Sequence, residues 1–417
     1  MNFCLWNNAL YYQKDNTYCD NVYFTSNGSG SCTLDTNIFV HKLNFYGYSG
    51  TFDTNNYNLV ITGELDTSGT INMGNVNTWT TYNRASFRGG TINYQTATVI
   101  VRGVNVVFET QLKTLYKVIH DYGSKTNTPW GWVINILDIK GELQGGNCCN
   151  YGYQTTVWPS GKLDHPEKKH ITIKQLTNNG SIDTKIALVG HGNDCAIQGY
   201  GEFNNEIKLA TPWNNDYSCT INSNLSFNSD FIIQKTGWSR TITIDNRNNY
   251  NIIFRKNVLF DENGISIIWQ KGNGNIIFAG NEDQSINFSN KNIESLLVQK
   301  NNGIITFNES INTVNFQSQS GTINFNSATL NVSGNLNILS PSQVIASSLA
   351  GTTINVTGNL NILGDEQHII DLAADREWFV NVNGQSLCKY VKTSYSKAGI
   401  NPINSVQSLD LGNNINW

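Results

Sequence analysis

The stretch Asn331-Val-Ser-Gly-Asn-Leu-Asn-Ile-Leu339 returns almost unchanged as Asn355-Val-Thr-Gly-Asn-Leu-Asn-Ile-Leu363. This offset of 24 residues (331 to 355) constrains the fold more than any other feature. Self-similarity at a short fixed period is the mark of stacked coils. Around it run short segments with period-two alternation, each followed by Gly, Asn or Ser. The inward residues predicted are Ile276/Phe278, Ile286/Phe288, Leu296/Val298, Ile305/Phe307, Val314/Phe316 and Ile323/Phe325. Leu330/Val332, Leu336/Ile338, Val344, Ile354/Val356, Leu360/Ile362 and Ile369 continue the series. Taken in threes, these strands recur at about 22 to 29 residues, the arithmetic of three short strands per coil. The predicted fold is therefore all-β: a single-stranded right-handed parallel β-helix (β-solenoid) with about 24 residues per coil. An antiparallel sandwich would show the same alternation but has no need of a register-preserving repeat. Equivalent positions in successive coils lie about 4.8 Å apart. Asn337 is thus expected over Asn361 and Asn331 over Asn355, as amide ladders.

Composition agrees. The chain holds 63 Asn and 36 Gly against 6 Pro, and only 14% of it is charged. Turn formers and β-branched residues are plentiful while helix formers are scarce. Three regions are expected: a capping region and first coil at 1–50, irregular coils with projecting loops at 51–250, and regular coils with a C-terminal cap at 251–417. Segment 111–169, with Pro129, Pro159 and Pro166, fits the coil pattern least and reads as long loops. Gln111–Tyr122 within it reads as either a helix or two strands. About 17 coils at the 4.8 Å spacing would make a stiff rod about 80 Å long.

Net charge is −4, and Lys and Arg are scattered singly, which excludes a basic stripe for nucleic acid. No run approaches 18 apolar residues, so no membrane-spanning helix is expected. The opening Met1–Trp6 lacks a signal-peptide pattern. Export is therefore expected to be arranged elsewhere, in a longer polypeptide or by a partner. The eight cysteines show no zinc-like spacing, and no metal or cofactor is expected. Cys19 and Cys32 flank a hairpin-like stretch and suit a disulfide in a secreted protein.

Both ends resemble a family. Trp6, Cys19-Asp-Asn-Val-Tyr-Phe-Thr-Ser-Asn-Gly-Ser-Gly-Ser-Cys-Thr-Leu-Asp35 and Leu43-Asn-Phe-Tyr-Gly-Tyr-Ser-Gly-Thr-Phe-Asp53 look like a first-coil signature. Trp378-Phe-Val-Asn-Val-Asn-Gly384 and Leu411-Gly-Asn-Asn-Ile-Asn-Trp417 look like its closing counterpart. Together they resemble the right-handed β-helix modules of large bacterial surface and secreted proteins, adhesins and autotransporter passengers among them. The resemblance implies an extracellular or cell-surface location and a structural or adhesive display role. The partners it implies are host or environmental glycans, a surface receptor, or other modules of the same larger protein. It supplies no catalytic residues.

Enzymatic chemistry was weighed against this. Gly190-His191-Gly192 followed by Gly199-Tyr-Gly201 resembles one polygalacturonase motif, yet the Asn-Thr-Asp and Asp-Asp carboxylates of that family have no counterpart here. Glycoside hydrolysis needs two carboxyls across one bond, so no catalytic residue is assigned and His191 is expected to be dispensable. Asp371, Asp375 and Glu377 beside Arg376 are the nearest approach to a lyase-type acidic cluster. The alternative function is a polysaccharide-active β-helix enzyme, a pectin-type hydrolase or lyase. For binding, Trp130, Trp132, Tyr151, Tyr153 and Trp158 are the candidate sugar-stacking residues. Packing beneath a loop is the competing role for the same rings.

Overall fold

The computed structural model describes residues 3–5, 19–26, 29–111, 113–128, 132–145, 151–165, 171–188, 194–209, 216–234 and 241–417. These form a parallel β-solenoid of the right-handed type, with about 17 turns and roughly 21 residues per coil. The one helical element among them is the 3-10 turn Ala346–Leu349. The chain divides into two compact units, Met1–Ala187 and Leu188–Trp417.

In the first unit, Leu59 stacks in register on Trp79, then on Val99, Val118, Leu137, Thr155 and Leu176. Period-two alternation turns each of these inward and its neighbours outward. Coils here take 17 to 23 residues, as in the steps from Lys125 to Glu142 and from Ala85 to Phe108. In the second unit, Phe203, Phe227, Phe254 and Phe278 form an interior column. Their ring centroids are 5.2, 5.5 and 6.2 Å apart. Coil length there varies more, with equivalent residues separated by 20, 24 or 27 positions. The repeat of 24 is a property of a few coils rather than of the chain.

The predicted stacking of Leu336 on Leu360 is found, with both side chains fully buried. Glycine holds the corner of this repeat. A Cβ on Gly358 would sit 2.6 Å from the Gly334 carbonyl oxygen, and one on Gly384 2.5 Å from that of Gly358. Only glycine lets successive corners approach this closely.

Three expectations fail. Val314 is not inward: Ile311 and Thr313 fill the core, a corner follows, and alternation restarts at Phe316. Thr313 is tolerated inside because its hydroxyl donates to the Glu294 and Asn315 carbonyls. Ile369 is 52% exposed and Ile370 takes the core position. The Asp365–His368 turn, closed by reciprocal 3.2 Å backbone hydrogen bonds, displaces the register by one residue. Within 111–169, Thr114–His120, Lys125–Asn127, Val133–Ile139, Glu142–Gln144, Tyr151–Val157 and Lys162–Asp164 are ordinary coil strands, not projecting loops. Polar residues at inward positions, such as His120 and Thr126, disguise their alternation. Gln111–Tyr122 accordingly contains a strand and no helix.

The proposed Cys19–Cys32 bridge does not form either. Cys19–Thr25 pairs in parallel with Ile38–Tyr46, whereas Cys32–Thr33 belongs to another sheet and pairs with Thr51–Asp53. The two strands do not pair with each other as a hairpin, and Cys32 is a free thiol.

Candidate functional site: outward rows and an aromatic slot

Stacking coils lines up outward side chains as strictly as inward ones. In the second unit the rows are amides. Asn355 donates to Asn331 and Asn361 to Asn337, each at 2.8 Å, as expected from the repeat. The first row extends further: Asn331 donates to Asn312 at 2.8 Å and Asn381 to Asn355 at 2.7 Å. At the corners, the Asn315 carbonyl oxygen accepts the Asn335 backbone N–H, Asn335 accepts that of Asn359, and Asn359 that of Gln385. Asn224, Asn251 and Asn275 repeat this device.

In the first unit the rows carry charge. Lys42 pairs with Glu64 at 3.5 Å, and Glu64 lies in register with Arg84, which reaches Glu109 at 3.3 Å. Further along, Lys125 meets Glu142 at 3.5 Å, Glu142 is in register with Lys162, and Lys162 reaches Asp183 at 3.0 Å. Signs alternate because like charges directly opposite on neighbouring strands repel.

A second row of the first unit mixes charge with aromatic rings. Tyr82, Arg102, Asp121, Lys140 and Trp158 each follow a strand and each donates a backbone N–H to the preceding coil. Arg102 binds Asp121 at 2.8 Å and the Tyr82 hydroxyl at 3.5 Å. Burial is the largest single influence on the Asp121 carboxylate and opposes its charge, but the Arg102 hydrogen bond, the Tyr122 N–H and the charges of Arg102 and Lys140 together hold the pKa below the usual range. Lys117 pairs with Asp138 at 3.1 Å, and the Trp158 indole N–H donates to the same carboxylate at 3.4 Å. The Lys140 ammonium stands 5.3 Å from the ring centres of both Tyr122 and Trp158. Tyr122 is 63% exposed and Trp158 37%.

The predicted aromatic platform therefore does not assemble as a unit. Trp132 is 1% exposed and lies in the core. Tyr151 and Tyr153 sit at the start of the seven-residue strand Tyr151–Val157, and Trp158 just beyond its end, about 20 Å away. Trp130 and His191 lie outside the described residues. Trp158 joins a surface cluster, and its companions Tyr122 and Lys140 come from other coils. Sequence distance concealed them; the register brings them together.

The acidic cluster Asp371, Asp375 and Glu377 also separates. Asp371 pairs with Lys392 at 2.8 Å and Glu377 with Lys397 at 2.5 Å. Asp375, Arg376 and Glu377 occupy a bulge in strand Ile370–Val382 and, with Tyr395, Gly351 and Ser327, line an open depression of about 620 Å³.

Two ionisable groups are enclosed in the second unit. The Glu294 carboxylate accepts from Asn246 at 2.8 Å, Trp269 Nε1 at 2.7 Å and the Gly272 N–H at 3.1 Å. Lys300 Nζ donates to the Glu282 carbonyl at 2.7 Å and to Gln284 at 2.8 Å. Burial pushes its pKa down to about 8. Both brace corners from within. Among the described residues, no three His, Cys, Asp or Glu side chains cluster as metal ligands. No helix among the described residues is long and apolar enough to cross a membrane.

Comparison of the chain with protein-family models, curated proteins and solved structures returns no match.

Proposed function

We propose that this chain is a structural display module of a bacterial surface or secreted protein, and that it acts by binding rather than turnover. The observation supporting this is the row architecture. Each coil contributes one outward residue per position, so the surface is a fixed lattice of amides, charges and rings at about 4.8 Å intervals. Such a lattice is pre-organised, and recognition by it requires little side-chain ordering. Extended glycans are the ligand class that fits, because rings and hydrogen-bonding groups recur along them as they do along the rows. The location proposed is extracellular or at the cell surface.

A polysaccharide-cleaving role is the second reading. It rests on the depression holding Asp375, Arg376 and Glu377. The purified chain should bind on a glycan array and release neither reducing ends nor unsaturated products from pectin or alginate. Turnover at ordinary enzyme rates, about 1–1,000 per second, that disappears in Asp375→Asn or Glu377→Gln would replace the first reading with the second.

A further inference from the structure

The charges around the Tyr122–Trp158 cluster balance unevenly. Asp121 is matched by Arg102 and Asp138 by Lys117. Lys140 makes no ion pair within 4 Å among the described residues: its charge helps to lower the Asp121 pKa, but its ammonium faces two rings. A cation between two exposed aromatic faces, flanked by carboxylates that accept hydrogen bonds, is a complete set of groups for one kind of ligand unit. That unit is a pyranose carrying a carboxylate. The apolar C–H faces of the sugar stack on Tyr122 and Trp158, its carboxylate pairs with Lys140, and its hydroxyls donate to Asp121 and Asp138.

We propose that the slot formed by Tyr122, Lys140 and Trp158 is a subsite for a uronate residue of an acidic polysaccharide. This rests on the binding role proposed above and gives it a ligand. Spacing narrows the class. Tyr82, Arg102, Asp121, Lys140 and Trp158 occupy successive rungs, so the two cations stand two coils apart, about 10 Å. Asp121 lies on the rung between them and Asp138 beside it. An extended chain laid along this row meets the Arg102–Asp121 pair and then the Lys140 ammonium. A carboxylate on every second sugar can meet Lys140 and leave a neutral sugar at Asp121, whereas a carboxylate on every sugar would also face Asp121. The chain's net charge of −4 and the neutralised Arg102 and Lys117 argue against nucleic acid, which needs a run of free cations.

The test is titration calorimetry of the whole chain with four polymers: hyaluronate (alternating carboxylates), polygalacturonate (a carboxylate on every sugar), dextran (neutral) and poly-glutamate (anionic, without sugar). Hyaluronate should bind tightest, and its carboxyl-reduced form at least tenfold more weakly. Lys140→Gln and Trp158→Ala should each weaken binding at least tenfold. Tyr122→Ala, at a site too exposed to disturb folding, should do likewise with unchanged thermal unfolding. Equal binding of dextran, equal binding of poly-glutamate, or undiminished affinity in Lys140→Gln overturns the proposal. So does absence of binding to all four polymers. That last outcome leaves the display role to be judged by the array and turnover measurements, which do not depend on this slot.

Discussion

The two units solve one stacking problem in two ways. Parallel, in-register coils place every outward residue about 4.8 Å above its equivalent. An amide is both donor and acceptor, so identical amides can bond to one another, and the second unit repeats Asn312, Asn331, Asn355 and Asn381 in one row. A charge cannot sit on its like, so the first unit alternates Lys42, Glu64 and Arg84. A short amide row exists there too, Asn93 on Asn72 on Asp53, but charge dominates. The lesson is that sequence repetition is one consequence of the fold and not a condition for it. Complementary rungs stack as well as identical ones and leave no internal repeat to detect.

This governs what could be read from the sequence. The second unit was legible because its rungs repeat, and the stacking of Leu336 on Leu360 and of Asn331 on Asn355 followed directly. In the first unit only period-two alternation remained. Where His120, Ser124 and Thr126 turned inward, even that was lost, and a run of coils looked like loops. Val314 and Ile369 were misplaced because each lies at a corner, where alternation pauses for a number of residues that hydrophobicity does not record. The aromatic slot was hidden for a different reason. Its members are 18 and 36 residues apart (Tyr122, Lys140, Trp158), so they become neighbours only once the register is known.

The comparison can be broken most severely through the cores, which should behave alike. Leu360→Asp in the second unit and Leu65→Asp in the first each bury an unpaired charge. Each should cost several kcal/mol in thermal unfolding. A mild effect in one unit alone would mean that its inward register is wrong.

Acidity should separate the units next. His120 is fully buried in the first unit, and that burial lowers its pKa from 6.5 to about 3. Below pH 6.5 the unfolded chain binds a proton that the folded unit refuses. Stability is therefore complete above pH 6.5 and declines as pH falls towards 3, by a few kcal/mol. Lys300 gives the second unit an alkaline signature. Its folded pKa of about 8 lies below the ordinary 10.5, so the folded unit loses a proton that the unfolded chain retains. Stability should rise as pH goes from 8 to 10.5. Hydrogen exchange resolved by unit would show both trends; His120→Asn and Lys300→Met should flatten them.

Smaller effects distinguish the rows. Glu64→Lys leaves cations on three successive rungs and should destabilise the first unit by about 1 kcal/mol. Asn355→Asp removes the donor to Asn331 and sets two oxygens face to face, for about 1 kcal/mol in the second. Lys42→Glu in the Glu64→Lys background should restore part of the first loss, because it pairs with the new lysine and leaves Arg84–Glu109 intact. No second charge change should repair Asn355→Asp.

The smallest difference should come from salt. Half-exposed pairs contribute about 0.2–1 kcal/mol each and are screened above a few tenths molar. Raising sodium chloride to about 1 M should lower the melting point of the first unit more than that of the amide-laddered second, where pairs such as Asp371–Lys392 and Glu377–Lys397 are screened but the amide rows are not.

The corner asparagines also bear on how such a chain can lengthen. Each Asn side-chain carbonyl holds the first N–H of the next coil, whether that coil starts 20, 24 or 26 residues on. Each of these rungs thus ends in the same socket with which it began. A segment copied from one socket to the next, as 331–339 is echoed at 355–363, arrives with both joints already matched. Gene duplication can therefore add or remove whole coils without any compensating change elsewhere, and extra residues between sockets are absorbed as surface loops. The length of the molecule is a heritable variable that is nearly independent of its stability.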